Sequence, residues 1–175
     1  LDMFGFFFFF SLGMNHPALA DDPGAAEEFR TVAPNKPSNS DIYTVPMARF
    51  VDTFARVLGD PALPHLFFVD GGALAVENAL KAAFDWKSRL NESRGLDPGL
   101  GGSVLHLTEA FHGRSGYTMS LTNTDPVKTA RFPKFDWPRI DAPYLCDGRD
   151  IAEAEDRALD QARAAFAERP HDIAC

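Results

Sequence analysis

One run of residues most constrains what this 175-residue chain can fold into: an apolar segment, a glycine turn and a long helical pattern. Residues 66–70 (LFFVD) predict a buried strand, residues 71–73 (GGA) a turn, and residues 74 to about 91 an amphipathic helix. Glycines at such a turn let the backbone enter the helix with its first N–H groups unpaired. The positive end of the helix dipole lies at the same place, so the turn is a candidate phosphate site.

Two readings of this turn stay open on the residues alone. Glycines are common between strands and helices for steric reasons, without any ligand. The spacing also matches neither the dinucleotide pattern GxGxxG nor the P-loop pattern, which ends in GK[ST]. The turn therefore indicates an anion site of another kind, or no site.

The remaining pattern alternates helices with strands. Thr44 is a candidate N-cap and Gly59 a helix end, and a third helix is predicted over 150–168. Residues 103–108 predict a second strand, with either Val104 and His106 or the neighbouring leucines facing inward, and residues 122–149 a long ordered loop. This alternation predicts an α/β fold with parallel strands.

A second candidate element follows the second strand. Phe111 offers a flat ring for stacking, Gly113 lets the backbone pass close to a ligand, and Arg114 offers a fork for a carboxylate. Each residue has an ordinary alternative: core packing for Phe111, a satisfied polar residue for His112, and a surface ion pair for Arg114. Their adjacency at a strand end favours a site, because open α/β sheets bind ligands there.

Composition excludes several other classes. The net charge of −8, from 25 acidic and 17 basic residues, argues against a nucleic-acid or anionic-membrane surface. The apolar stretch 3–14, with five consecutive phenylalanines at 6–10, is too short to span a bilayer. The two cysteines lack metal-ligand spacing, and free thiols suit a cytoplasmic protein. Four histidines are scattered without metal-ligand spacing and are expected to be structural: His16, His65, His106 and His171. No GxSxG motif supports a hydrolase.

Taken together, the motifs resemble the class III, fold type I aminotransferases, which depend on pyridoxal 5'-phosphate. The resemblance covers nearly the whole chain and is weakest at 6–10 and 20–34. Within that family, the sequence is most similar to actinobacterial enzymes that act on the ε-amino group of L-lysine. The segments that carry the resemblance are 12–17 (LGMNHP), 35–41 (NKPSNSD), 66–81 (LFFVDGGALAVENALK), 79–89 (ALKAAFDWKSR), 111–118 (FHGRSGYT) and 131–143 (RFPKFDWPRIDAP).

The resemblance implies a fold and an organisation. We expect a fragment of the fold type I architecture, comprising part of the large domain and a piece of the small-domain segment. Residues 1–46 would contribute to the small domain and to dimer contacts, and residues 47–175 would form the first part of the cofactor-binding large domain. The full-length enzyme would be a cytoplasmic homodimer.

The resemblance also implies roles for individual residues. Gly72 and Ala73 would bind the cofactor phosphate through backbone N–H groups, and Phe111 would stack on the pyridine ring. His112 would lie beside the ring, and Arg114 would hold a carboxylate of 2-oxoglutarate or of lysine. Many relatives carry Ser or Thr after the second glycine, so Ala73 removes one hydroxyl contact to the phosphate.

The implied reaction transfers the ε-amino group of L-lysine to 2-oxoglutarate and yields the 6-semialdehyde and glutamate. Such a step would serve lysine breakdown or, in β-lactam producers, antibiotic precursor supply. None of the five lysines stands where the family places its cofactor-bound lysine, nor is the acidic partner of the pyridine nitrogen present. Both termini also look cut, so we expect an N-terminal fragment that is inactive alone.

Alternatives stay open at this point. Within the family, ornithine or 4-aminobutyrate could be the amine donor instead of lysine. Outside it, the chain could be a non-catalytic phosphate-binding α/β module, or a plain α/β scaffold with a protein partner.

Overall fold

The computed structural model describes residues 16–34, 42–148 and 150–175. The chain divides into two compact units, Leu1–Phe68 and Val69–Cys175. The phenylalanine run at 6–10, most of the 12–17 segment and the 35–41 segment lie outside the described residues. The division of the full-length fold into residues 1–46 and 47–175 stays a prediction.

The first unit is helical where it is described. Helices α1 (Pro17–Ala20), α2 (Pro23–Val32) and α3 (Val45–Leu58) follow one another. The hydroxyl of Thr44 accepts a hydrogen bond from the N–H of Met47 (3.3 Å), and Gly59 ends α3, so the helix predicted there is confirmed. The rings of Phe50, Phe54 and Phe68 form a cluster with centroids 5.0–6.1 Å apart, in which Phe68 meets each of the other two edge to face.

The second unit contains the predicted mixture of helices and strands. Its helices are α4 (Gly72–Ser93), α5 (Thr118–Leu121) and α6 (Ile151–Glu168), with a 3₁₀ turn at Pro126–Lys128. Asp150 caps α6 by accepting from the N–H of Ala152 (2.9 Å). The helices predicted over 74–91 and 150–168 are therefore confirmed.

Strands β1 (His106–Leu107) and β2 (Arg139–Ile140) pair in parallel, as expected of an α/β chain. A parallel bridge joins Ser103 to Ile173 on the other side of the first strand. The two halves of the 103–108 segment bond to different neighbours. The N–H of Leu105 donates to the carbonyl of Cys175 (2.9 Å), and the N–H of Thr108 donates to the carbonyl of Ile140 (2.8 Å). This segment is therefore the middle of three parallel chain segments.

Two predictions about strands need correction. Residues 66–70 form no strand, because none of the described residues pairs with them, and Phe67 is 72% exposed. Apolar composition can mark a segment that is able to be a strand, but a strand exists only where a neighbour supplies hydrogen bonds. The 122–149 segment is not loop throughout, since it contains β2 and the 3₁₀ turn.

The core of the second unit resolves which face of the 103–108 segment points inward. Val104 and His106 are buried, whereas Leu107 is 41% exposed. Four buried side chains form this core, and three partly buried ones pack against it: Leu80, Val104, Leu121 and Trp137, with Val76, Phe84 and Tyr117. Helix α4 is thus packed on the sheet, and its N-terminus is fixed relative to the strand ends.

Candidate functional site

The turn before α4 exposes unpaired backbone donors. Gly71 adopts φ 92°, a conformation that favours glycine, and it offers no side chain to cap the helix. The first helical bond is from the N–H of Ala75 to the carbonyl of Gly71 (3.1 Å), so the N–H groups of residues 72–74 precede the helical ladder. A Cβ built on Gly71 or Gly72 would have no heavy atom within 4 Å. The space in front of these donors is open to an anion.

The loop after β1 meets this helix end. Gly113 has φ 115°, and a Cβ built on it would lie 2.5 Å from the Cβ of Ala73 and 3.0 Å from its Cα. Only a glycine allows the two segments to approach this closely. The structure therefore brings the two motifs singled out from the sequence, residues 71–73 and 111–114, into direct contact.

Thr122 fixes the first half of the loop. Its hydroxyl accepts a hydrogen bond from the N–H of His112 (3.0 Å) and donates one to the carbonyl of Gly113 (2.5 Å). Asn123 adds two bonds to the strand end, from its N–H to the carbonyl of Ala110 (2.9 Å) and from its side-chain amide to that of Thr108 (3.0 Å). Thr122 is buried, so these bonds are shielded from competing water.

Glu77 fixes the second half of the loop. Its carboxylate accepts hydrogen bonds from the hydroxyl of Ser115 (2.8 Å) and from the N–H of Thr118 (3.1 Å). Burial raises the pKa of Glu77, but the hydrogen bonds from Ser115, Thr118 and Tyr117 outweigh it and hold the pKa below its ordinary value. The Glu77 side chain thus ties α4 to the loop.

The side chains with proposed ligand roles are available. Phe111 is 59% exposed, which excludes the core-packing alternative for its ring in this chain. Arg114 is also exposed, and its guanidinium forms no ion pair with the described residues. His112 is half-buried and held through its backbone. An exposed ring and an exposed guanidinium therefore belong to the segment whose Gly113 contacts the N-terminus of α4.

His106 lies beneath the loop as a buried support. The Nε–H of Arg139 donates to its Nε2 (2.8 Å), which leaves the proton on Nδ1 to bond the carbonyl of Val104 (3.3 Å). Burial lowers the pKa of His106, and the nearby charge of Arg139 lowers it further. This histidine is neutral and structural, in agreement with its sequence-based interpretation.

Sequence reasoning missed the residues that hold the loop. Glu77, Thr118, Thr122 and Asn123 carry no ligand-binding pattern, and each makes a hydrogen bond to a residue at least nine positions away in sequence. One signal was available: Glu77 follows Ala73 by four residues and so lies on the same helix face.

Among the described residues, no helix is both apolar and long enough to cross a membrane.

Comparison with known proteins gives a consistent match. The profile of the family described as aminotransferase class-III matches residues 1–175. The L-lysine-epsilon aminotransferase of Mycobacterium tuberculosis (strain H37Rv) is 71% identical over 178 residues, covering 100% of this chain and 40% of the relative. The L-lysine-epsilon aminotransferase of Streptomyces clavuligerus is 60% identical, covering 100% and 39%. The 4-aminobutyrate aminotransferase of Mycosarcoma maydis is 29% identical, covering 91% and 35%.

Comparison with solved structures identifies the same kind of enzyme as the sequence comparison does. A lysine aminotransferase from M. tuberculosis superposes with a TM-score of 0.89 at 72% identity, covering 93% of this chain and 38% of that one. The predicted fold class, an α/β chain that forms part of the fold of these aminotransferases, is confirmed. The chain spans about 40% of the length of the two L-lysine-epsilon aminotransferases named above.

Proposed function

Because the chain belongs to the class-III aminotransferases, we propose that the protein containing it transfers the ε-amino group of L-lysine to 2-oxoglutarate. The products would be the 6-semialdehyde and glutamate. One observation supports this proposal most strongly: Gly113 packs on Ala73, so the segment that carries Phe111 and Arg114 meets the N-terminus of α4. The relatives named for lysine are 60–71% identical, against 29% for one named for 4-aminobutyrate, which supports lysine as the donor.

The residues present fit pyridoxal 5'-phosphate. The N–H groups of Gly72 and Ala73 would hold its phosphate, since they are unpaired in the helix and lie at the positive end of a 22-residue dipole. The exposed ring of Phe111 offers a stacking surface for the pyridine, with His112 beside it. Bound there, the cofactor would act as an electron sink while the carbon next to the amino nitrogen loses its proton.

Arg114 would bind a substrate carboxylate. A guanidinium presents parallel N–H donors that match the two oxygens of a carboxylate, and such charge-assisted pairs bind more strongly than neutral ones. Both substrates carry a carboxylate distant from the reacting carbon. Arg114 would therefore orient the substrate, whereas the turn at 71–73 orients the cofactor.

A proton-transferring lysine is not among the described residues of this site. Lys128 is paired with Asp125 (3.1 Å), and Lys81 and Lys87 follow the N-terminus of α4 by two or more helical turns. We propose that the cofactor-bound lysine and the acidic partner of the pyridine nitrogen lie in the part of the relatives that the chain does not match. The 175 residues alone would then bind phosphate weakly and not transaminate.

Family membership also supports a cytoplasmic homodimer with no nucleic-acid partner, as the net charge of −8 suggests. The homodimer is tested by light scattering of the protein extended to the length of its relatives. A mass of two chains supports the proposal, and a mass of one chain contradicts it.

The reaction is tested with that same extended protein and three amine donors, L-lysine, L-ornithine and 4-aminobutyrate, each with 2-oxoglutarate. We expect glutamate formation to be fastest with L-lysine. Arg114→Ala should raise the KM for 2-oxoglutarate roughly 10-fold to 100-fold through loss of a charged hydrogen-bonded pair. Arg89→Ala is the matched control: position 89 lies 17 residues along α4 from residue 72, about 25 Å, and the Arg89 side chain forms an exposed ion pair with Asp85. Faster turnover of either other donor would contradict lysine as the substrate.

A further inference from the structure

We infer that Glu77 is a positioning residue for Arg114: its carboxylate fixes the backbone from which the carboxylate-binding guanidinium extends. This inference rests on the proposed function, because it assigns Glu77 a part in recognition of the substrate carboxylate.

The residue after Arg114 is tied to α4 through Glu77. Ser115 donates its hydroxyl to the carboxylate (2.8 Å), and the N–H of Thr118 donates to the same oxygen (3.1 Å). The N–H of Ser115 in turn donates to the hydroxyl of Thr118 (3.0 Å). Ser115 is therefore held by Glu77 in two ways: directly through its hydroxyl, and indirectly through Thr118, which Glu77 also binds.

The residue before Arg114 is tied to the same helix by packing. Gly113 lies against Ala73, where even a methyl group at position 113 would overlap. Ala73 and Glu77 are four residues apart, so one face of α4 presents both anchors. Arg114 stands between them with a side chain free of ion pairs to the described residues.

This arrangement reduces the entropy lost on binding. A guanidinium on a mobile loop must lose backbone freedom when it grips a carboxylate, and this loss weakens affinity. The hydrogen bonds of Glu77 remove that freedom before the ligand arrives. Since these bonds hold the pKa of Glu77 below its ordinary value, the carboxylate is charged at neutral pH and accepts charge-assisted hydrogen bonds.

The test measures binding instead of turnover. Glutarate is a five-carbon dicarboxylate that lacks the keto group of 2-oxoglutarate and cannot react. Its dissociation constant is measured by titration calorimetry on the cofactor-loaded protein at the length of its relatives. Arg114→Ala should weaken glutarate binding roughly 10-fold to 100-fold. Glu77→Ala should weaken it about tenfold, and Glu77→Gln, which keeps an acceptor oxygen, less than about threefold.

The Glu77→Ala change is also made in the Arg114→Ala background. If Glu77 acts through Arg114, it should cause no further loss there, because the group that it positions is gone. Ser115→Ala, which removes one of the bonds to Glu77 and disturbs the fold less, should weaken binding about threefold and likewise lose its effect without Arg114. Glu92→Ala, an exposed glutamate near the other end of α4, is the matched control.

Three results would overturn the inference, and they are distinguishable. If Arg114→Ala leaves glutarate binding unchanged, the carboxylate role of Arg114 in the proposed function is wrong, and the inference fails with it. If Arg114→Ala weakens binding while Glu77→Ala and Ser115→Ala match the Glu92→Ala control, only the positioning role is wrong. If Glu77→Ala weakens binding equally with and without Arg114, Glu77 acts by another route.

Discussion

The contact between Gly113 and Ala73 can be tested by adding one methyl group. Gly113→Ala places a Cβ 2.5 Å from the Cβ of Ala73 and 3.0 Å from the hydroxyl oxygen of Thr118, both well inside van der Waals contact. The backbone at position 113, with φ 115°, adds strain of roughly 1–3 kcal/mol for any residue with a Cβ. The overlap adds about 1–3 kcal/mol more, so we expect the free energy of unfolding to fall by about 2–6 kcal/mol.

A second change separates the overlap from the strain. Ala73→Gly removes the methyl group that the new Cβ meets, so the double variant should regain about 1–2 kcal/mol relative to the sum of the single changes. The recovery is partial, because the Cα of Ala73 and the hydroxyl of Thr118 still lie 3.0 Å from the new Cβ and φ is unchanged. Gly72→Ala is the matched control, since its Cβ would meet nothing within 4 Å, and it should alter stability by less than about 1 kcal/mol.

Urea unfolding midpoints of the four variants and the parent give these values. The decisive quantity is the coupling free energy between positions 73 and 113. A coupling below about 0.5 kcal/mol is what independent sites show, and it would refute the contact on which the site depends. A large loss of stability for Gly72→Ala would refute the open space in front of the helix.

Three further predictions concern buried or partly buried polar side chains that stabilise the second unit. Asn91→Ala should lower the free energy of unfolding by about 2–4 kcal/mol, measured by urea unfolding, because the buried amide bonds two backbone carbonyls that would lose their partner. Burial lowers the pKa of His106 from its ordinary 6.5, so the unfolded chain binds the proton more tightly than the folded chain does. The stability that His106 contributes should therefore be complete above pH 6.5 and fall as the pH drops below it. His106→Gln should flatten this pH dependence of the free energy of unfolding. Burial raises the pKa of Asp172, but hydrogen bonds from Ser103 and two glycine N–H groups outweigh it and lower the pKa from 3.8. The stability that Asp172 contributes is therefore present above about pH 4 and lost below it. Asp172→Asn should remove this loss of stability at acid pH.

Helices were the part of the fold that the sequence predicted well. The three long ones carry local signals: Thr44 and Asp150 cap two of them, and glycines open the third. A helix satisfies its hydrogen bonds within itself, so its signals lie in the same residues that form it. Strands differ, since each depends on a partner distant in sequence, and for this reason the prediction at 66–70 was wrong and β2 was missed.

The residues that we propose to face a ligand could be named from the sequence, whereas the residues that support them could not. Glycines 72 and 113, the ring of Phe111 and the guanidinium of Arg114 have chemistry that marks them individually. Whether two such segments meet depends on the packing of α4 against β1, and no local pattern encodes it. The bonds of Glu77 and Thr122 to the loop span 38 and 9–10 positions and became visible only in three dimensions.

The most direct test of the central claim is a crystal structure of the protein, at the length of its relatives, with pyridoxal 5'-phosphate. The account predicts that the phosphate accepts hydrogen bonds from the N–H groups of Gly72 and Ala73, and that the ring of Phe111 lies against the pyridine. A phosphate bound away from the N-terminus of α4, or a pyridine ring out of contact with Phe111, would contradict it.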